Sequence, residues 1–594
     1  MPSIIILGGD RMYAGKNKPV PLPTTGHLHT LKTGYVYWED GGKWDNEKKQ
    51  TVDGRVSIGR IDPDHKGMMF PNKNYFSIFD SVDSPKEDAR AVLKEPCAFS
   101  KALNYGAYAA MLEAADSVGC LSALKKTFPE HWNDIFAAAL HSITAENSVA
   151  QDMPFWCFHN YCGLDSPLYS NEMSRLYGYI SGDPESIPDF MYRFREGYFG
   201  TFPDSGTTLV GFDSTNQNTN SRGIDLAEYG HAKVKENLPD INTAMFVDEI
   251  TGIPLYYEHF YGSILDKTET PFTMEKVKDL GFKKLFLMMD RGYFSKKALD
   301  AVGEYDFAIM CPQSLQMVKQ LFKEYSSEIK DSEKYYISTE NIYGKRIRNV
   351  EICGSTYNCY VYYDSKRAED ERATIHTKVQ LMMKTALNRK RFSKKLQDTF
   401  SPWLIIEKSE KDPNTGRSFI VKESKRHVQQ CLDKAGYFVI LSNTNLTADH
   451  MIKVARMRDS NEKAFRRMKN HFGLSKTYSH SAATYEGKMF ICFVALIIIE
   501  SYRHFIRPVL DAVSSTTTAT TIGELNKYQI QRKRDGSWMP MYAMTKKQRQ
   551  IFKCLDLTEG KIKTRIRKLR VLFVESLGIK KIRILKTTCK RKEM

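Results

Sequence analysis

The sequence contains no G-x4-G-K-[ST] phosphate loop, which disfavours an ATP-driven motor. It has no apolar run long enough to cross a membrane either. Phe490 to Ile499 is apolar apart from one cysteine, but it covers only about half a span, so a buried core helix is expected there and no membrane partner. The opening Met-Pro-Ser-Ile-Ile-Ile-Leu-Gly carries no basic leader and too short an apolar stretch for a signal peptide. The 11 cysteines show no repeated pair spacing. An odd count without a framework points to reduced thiols in a cytoplasmic compartment. Cys157-x4-Cys162 encloses His159, yet no second pair follows, so buried thiols are expected there rather than a metal site.

What is abundant is apolar and basic. With 42% apolar and 12% aromatic residues, the chain has ample material for packed cores, and 594 residues suggest about three to five domains. A net charge of +17 calls for a polyanionic partner, nucleic acid first and an anionic membrane surface second. Much of the excess lies at the end: Lys561 to Met594 holds thirteen Lys/Arg against two Glu. That run reads either as a solvated tail or as a contact to a DNA backbone.

One short stretch anchors the rest. Leu285 to Met289 is a run of apolar residues without helical period, which predicts a strand buried on both faces of an α/β sheet. Asp290 follows it, Gly292 permits a turn, and Ser295 is placed to cap a helix from Lys296. Asp290 is thus expected at the carboxyl end of a central strand, where α/β sheets place their chemistry, or else as a simple turn residue.

In chain order, residues 1–80 read as a β-rich arm and residues 81–205 as a helical domain, with helices over Ala102–Ala115, Trp132–Asn147 and after Asp183. That domain either binds DNA or only packs. Thr207 to Asp213 predicts a strand ending in a carboxylate, followed by a polar loop from Ser214 to Arg222. Asn242–Ile250 and Ile253–Tyr261 predict a hairpin around Thr251-Gly252, with a helix at Met274–Leu280 leading into the anchor strand. Three meandering strands, a helix and a strand beside the first make the opening order of the ribonuclease H-like fold, by analogy of fold. The expected class is therefore α/β, with a ribonuclease H-like mixed sheet. Residues 206–310 form its first half, 311–435 an inserted β-rich module with a charged helix over Lys366–Gln397, and 436–515 its second half. Residues 516–594 form a basic C-terminal region.

A single helix is expected from Asp449 to Phe472. At 100° per residue, Arg458, Glu462, Arg466 and Lys469 then fall within about 40° of one direction, beside an apolar stripe of Met457, Phe465, Met468 and Phe472. Salt-bridge decoration of an exposed helix is the plain reading of that pattern. The other is a site built from three acids, Asp213, Asp290 and Glu462. Carboxylates meeting from separate elements repel unless a divalent cation neutralises them, and hard oxygen donors suit Mg²⁺ or Mn²⁺. Two such ions about 3.5–4 Å apart suit in-line displacement at phosphorus. The flanking cations would hold phosphates.

Here the chain resembles the DDE transposases of bacterial insertion sequences, in the branch marked by Tyr-x2-Arg-x3-Glu-x6-Lys. Arg458-x3-Glu462-x6-Lys469 reproduces the last three positions, and Ala455 stands at the Tyr position. Phe212-Asp213-Ser-Thr resembles the family's first-Asp motif, and Met289-Asp290-Arg-Gly-Tyr-Phe-Ser its second. Gly230-His-Ala-Lys233 through Gly252-Ile-Pro254, and Gly262 to Asp266, are similar to its connecting segment. The resemblance spans residues 205–515. It implies cutting at transposon ends with two Mg²⁺ or Mn²⁺ ions, and transfer of the freed 3′-hydroxyl into target DNA. Asp213, Asp290 and Glu462 would be the metal ligands, and Arg458, Arg466, Lys469 and Arg291 would grip DNA. The partners would be double-stranded terminal inverted repeats, target DNA and a second copy of the chain in a synaptic complex on the bacterial nucleoid. A transposase-derived DNA-binding protein without catalysis, and a metal-dependent nuclease without strand transfer, are the other two readings.

Overall fold

A computed structural model describes residues 19–39, 43–45, 50–52, 55–79, 102–145, 149–164, 166–202, 207–230, 238–389, 394–410, 412, 417–533 and 537–576. The chain divides into two compact units, residues 1–100 and 101–594. The boundaries expected at 205, 310, 435 and 515 are therefore changes of texture inside one body. The expected motif residues His231–Lys233 and the basic residues from 577 on lie outside the described residues.

The first unit contains a five-stranded antiparallel sheet, from Val20–Pro21 through Met68–Pro71, Arg55–Ile61 and Tyr35–Glu39 to His27–Thr30. Val36, Ile58, Met69 and Tyr75 form its small core.

The second unit opens with helices α1 (Gly106–Ser117), α2 (Cys120–Thr127), α3 (Trp132–Thr144), α4 (Ser170–Gly182) and α5 (Ser186–Thr201). Gly119 and Gly197 let α2 and α5 touch backbone to backbone: a Cβ on Gly119 would stand 2.6 Å from the Cα of Gly197. Cys157 and Cys162 are both buried, their sulfurs 3.7 Å apart.

The large mixed sheet follows. Its strands are β1 (Thr208–Thr219), β2 (Asp240–Asp248), β3 (Pro254–Tyr261), β4 (Leu285–Met289), β5 (Asp306–Met310), β6 (Ile342–Ile352), β7 (Ser355–Tyr363) and β8 (Tyr437–Ser442). The order is β3-β2-β1-β4-β5-β8-β7-β6, with short edge additions. β1, β4 and β5 run parallel and all other neighbours in that order antiparallel. β4 is buried along its whole length, which is why its sequence shows no alternation. Ser295 caps helix α6 (Lys296–Val302), its hydroxyl accepting from the Ala298 amide at 3.2 Å. Gly252, at φ +78°, makes the β2–β3 turn, and Asp248 Oδ1 accepts from the amides of Ile250 and Thr251.

Four expectations are corrected. Asp213 lies in the middle of β1, not at its end, because the strand runs on through the polar residues to Thr219. Two of those buried residues are tied down by hydrogen bonds: Gln217 donates to the Leu474 carbonyl and accepts from Tyr485, and Asn218 donates to Asp240. The inserted region is no separate β-rich module, since β6 and β7 extend the main sheet through β8 and helices make up much of the rest. Its charged helix α7 spans Ser365–Leu387, and a separate helix covers Lys394–Phe400. The helix expected over Asp449–Phe472 is broken into α8 (Ala448–Arg456), α9 (Asp459–Arg466) and a π-helical turn over Arg467–His471.

Helix α10 (Ala482–Phe505) passes through the core, its residues buried from Met489 to Tyr502. It is long and apolar enough to cross a membrane by composition, but it packs between the helical layer and the sheet within one hydrophobic cluster. Helix α11 (Arg507–Asp511) and helix α12 (Thr518–Asn526) follow. The basic run begins in helix α13 (Glu559–Ser576), where Ile562 and Ile566 are fully buried and Arg565 pairs with Glu113 of α1. Residues 561–569 are therefore packed structure and no solvated tail.

Candidate active site

Two of the three acids meet through strand register. β1 and β4 are parallel neighbours in which Met288 pairs with Gly211 and Met289 with Phe212. One step further along, Asp290 and Asp213 stand level. Side chains alternate along a strand, so Leu209, Gly211 and Asp213 share one face, as do Phe286, Met288 and Asp290. Leu209, Phe286 and Met288 pack against Met451 and Ile452 of α8, so both aspartates project on the side of the sheet that α8 and α9 cover. On the opposite face, Phe212 stacks on Phe246 at 4.5 Å and lies 4.7 Å from the ring of Tyr293. Those rings pack beneath the strand segments that carry the two carboxylates.

The neighbourhood of Asp213 holds another acid. Its carboxylate accepts from the Ser214 amide at 2.8 Å, and the Ser214 hydroxyl donates to Asp266 at 2.6 Å. Burial, with the Asp266 and Asp213 charges beside it, raises the Tyr293 phenol well above its ordinary value, so Tyr293 stays protonated.

Asp290 is partnered by Arg458, whose guanidinium lies 3.4 Å from Oδ1. Arg458 sits in the joint between α8 and α9, and the joint is held by a residue that the sequence reading missed. Glu249, in the β2–β3 turn, accepts from the Ser460 amide at 3.0 Å, while the Ser460 hydroxyl donates to its carbonyl. Glu249 and the fully buried Asn461 fit over Gly211 only because that position lacks a side chain. A Cβ there would come within 2.0 Å of Glu249 Oε1 and 2.6 Å of Asn461 Nδ2. Burial lifts the Glu249 carboxyl to about 7, against the opposing pull of the Ser460 bonds and Arg458. The available signal was a second carboxylate, Asp248-Glu249, inside a hairpin of apolar strands.

The remaining expected residues do not gather with this pair. Glu462 is exposed on α9, immediately after buried Asn461, and Arg466 and Arg291 are exposed as well. Lys469 lies in the π turn, where its charge acts on Asp240 at the start of β2. The common direction expected for Arg458, Glu462, Arg466 and Lys469 is lost, because the joint interrupts the helix before α9 and the π turn widens it after. Among the described residues no three His, Cys, Asp or Glu side chains stand close enough together to hold a metal ion. The donor chemistry of Asp213 and Asp290 nevertheless suits a hard divalent cation: both are oxygen ligands on rigid strands, and Asp290 already attracts a cationic group. Glu462 is not in that donor set as it stands.

Residues 204–498 match the family described as Transposase DDE domain. No curated protein matches the chain. Among solved structures, one described as the piggyBac transposase synaptic complex with hairpin DNA is similar at 10% identity and a TM-score of 0.31. That match covers 80% of this chain and 88% of the other.

Proposed function

We propose that this chain, whose residues 204–498 match the Transposase DDE domain, is a DDE transposase that cuts the ends of an insertion sequence and joins the freed 3′-hydroxyl to target DNA. The observation that carries the reading is the level placement of Asp213 and Asp290 on adjacent parallel strands, with Arg458 beside them. The strand order, three antiparallel followed by two parallel on the far side of the first, supports a ribonuclease H-like core.

In this reading Asp213 and Asp290 would hold Mg²⁺ or Mn²⁺, with Glu462 joining them if α9 carried it inward. Such ions would supply charge stabilisation for an in-line displacement at phosphorus. The chain's own residues do the positioning. Arg458 exchanges its Asp290 partner for a DNA phosphate, a charge-assisted and potentially bidentate contact. Tyr293, kept protonated by burial and by the neighbouring carboxylates, adds no negative charge beside Asp213 and Asp266. Arg466, Lys469 and Arg291 hold flanking phosphates. Two ends must be cut together, so two copies act in one synaptic complex, on nucleoid DNA in the cytoplasm.

Binding without catalysis is the second reading, favoured by the position of Glu462 apart from the aspartate pair. Both are tested by incubating the full chain with duplexes carrying the inverted repeats that flank its reading frame, plus Mg²⁺. Cleavage and joining by the unmodified chain, lost in Asp290→Asn, supports the proposal. Tight binding with neither reaction supports the second reading. Cleavage without joining points to a nuclease.

A further inference from the structure

A cavity of about 1210 Å³ lies at the open edge of the sheet, where β3 is the last strand. It is lined by β3, the start of α10, the α4–α5 connection and the helix Asp266–Asp279. Ile187, Met191, Ile224, Leu226 and Leu280 supply apolar wall, and the size is of the order of a small-molecule site. Two acceptors meet in it without a donor. The His259 side chain is only 4% exposed, and its Nε2 has no hydrogen-bond partner. Glu486 Oε2 stands 3.8 Å from it, too far for a hydrogen bond.

The other end of each group is fixed. Tyr257 donates its hydroxyl to Glu486 Oε1 at 2.9 Å. The tautomer of His259 follows from a chain of bonds that starts at a backbone carbonyl. Gln217 donates its amide to Leu474, so its oxygen accepts the Tyr485 hydroxyl. Thr243 donates to the Tyr485 oxygen, which leaves the Thr243 oxygen to accept from His259 Nδ1 at 2.9 Å. The Asn242 backbone accepts from the ring as well. With the proton on Nδ1, Nε2 keeps a bare lone pair. Burial lowers the imidazole below its ordinary range against the pull of Glu486 and Glu258, so the ring is neutral at pH 7.

A lone pair and a carboxylate oxygen facing one gap call for a donor between them. A metal ion does not fit: two donors are too few, and among the described residues no three His, Cys, Asp or Glu stand close enough to hold one. A phosphate is repelled. Asp183, Glu185 and Asp279 line the same cavity without an ion pair among the described residues. Of the two lysines in the wall, Lys276 pairs with Glu258 at 2.6 Å and Lys126 lies over the Trp132 ring. An ammonium has the right sign and enough N–H groups, since one nitrogen can stand about 2.9 Å from both acceptors and donate to each. We propose that the cavity binds a free aliphatic amine, whose primary ammonium bridges His259 Nε2 and Glu486 Oε2 and whose methylene chain lies along the apolar wall. The site shares no residue with the aspartate pair and does not depend on the transposase reading.

The test is isothermal titration calorimetry on the full chain, free of nucleic acid, with putrescine, butylamine, tetramethylammonium and butanediol. The two primary amines are expected to bind saturably. Tetramethylammonium, which has the charge but no N–H, and butanediol, which has no charge, are expected not to. Glu486→Gln keeps the bond from Tyr257 but removes the charge, and is expected to weaken putrescine roughly ten- to a hundredfold. Asp511→Asn makes the same change of net charge on exposed α11, outside the cavity, and is expected to leave the affinity unchanged. Ala483→Trp fills the cavity from an exposed position in its wall and is expected to abolish binding. Melting temperatures without ligand show whether each variant is folded. No saturable heat from either amine means that water alone fills the gap, and overturns the proposal. So does tetramethylammonium binding as tightly as putrescine, an unchanged affinity in Glu486→Gln, or an equal loss in Asp511→Asn.

Discussion

Replacing Glu249 by Gln removes one buried charge while keeping the oxygen that accepts the Ser460 amide. Burial raises the Glu249 carboxyl from 4.5 to about 7, so the folded chain holds a proton there that the unfolded chain has released. Stability from this group is fully present below about pH 4.5 and is lost as pH rises through about 7. At 1.36 kcal/mol per pH unit, that window amounts to about 3 kcal/mol. Urea unfolding of both proteins from pH 4.5 to 8, read as midpoint times slope, measures the difference directly. The unmodified chain is expected to lose about 3 kcal/mol relative to the variant across the window, with the curves parallel above pH 8. At pH 8 Glu249→Gln should therefore be the more stable protein, although it has lost a charge near Arg458. Parallel curves throughout would refute the reasoning, because they would mean that Arg458 and Ser460 keep the carboxylate ionised in spite of its burial.

Asp213→Asn and Asp290→Asn are each expected to reduce cleavage of end DNA to background while leaving its affinity within about twofold, as read by gel assay and anisotropy. Gly211→Ala forces a methyl group against Glu249 and Asn461, so a stability loss of about 1–3 kcal/mol is expected in urea unfolding, with slower cleavage. Truncation after Ser576 is expected to keep the melting temperature and flatten the salt dependence of DNA binding. Truncation from Lys561 also removes Ile562 and Ile566 from the core and is expected to cost several kcal/mol and lower the melting temperature.

The parts of the site that could be read from sequence are those whose environment is local. Leu285–Met289 announces itself because a strand buried on both faces needs apolar residues at every position, and Asp290 follows from where that run stops. Ser214 to Thr219 misleads for the opposite reason. They are polar residues in a central strand, and their hydrogen bonds go to Asp266, Leu474 and Asp240, all remote in sequence. Likewise β6 and β7 alternate well enough to be recognised as strands, but nothing local says that their neighbour is β8.

The joint between α8 and α9 is the sharpest case. No Pro or Gly interrupts Asp449 to Phe472, although Asp459, Ser460 and Asn461 are consecutive residues that favour caps and turns over helix interiors. Contacts from outside fix the break at that weak point. The Ser460 amide, which an unbroken helix would bond to the Arg456 carbonyl four residues back, goes to Glu249, and Arg458 swings to Asp290. Ser460, bonded to Glu249, and Asn461, packed over Gly211, directly precede Glu462. A change that moves the Glu249 carboxylate is therefore expected to disturb the start of α9, two residues before Glu462. In the proposed reading, residues that perform no chemistry would thus set the distance between Glu462 and the aspartate pair.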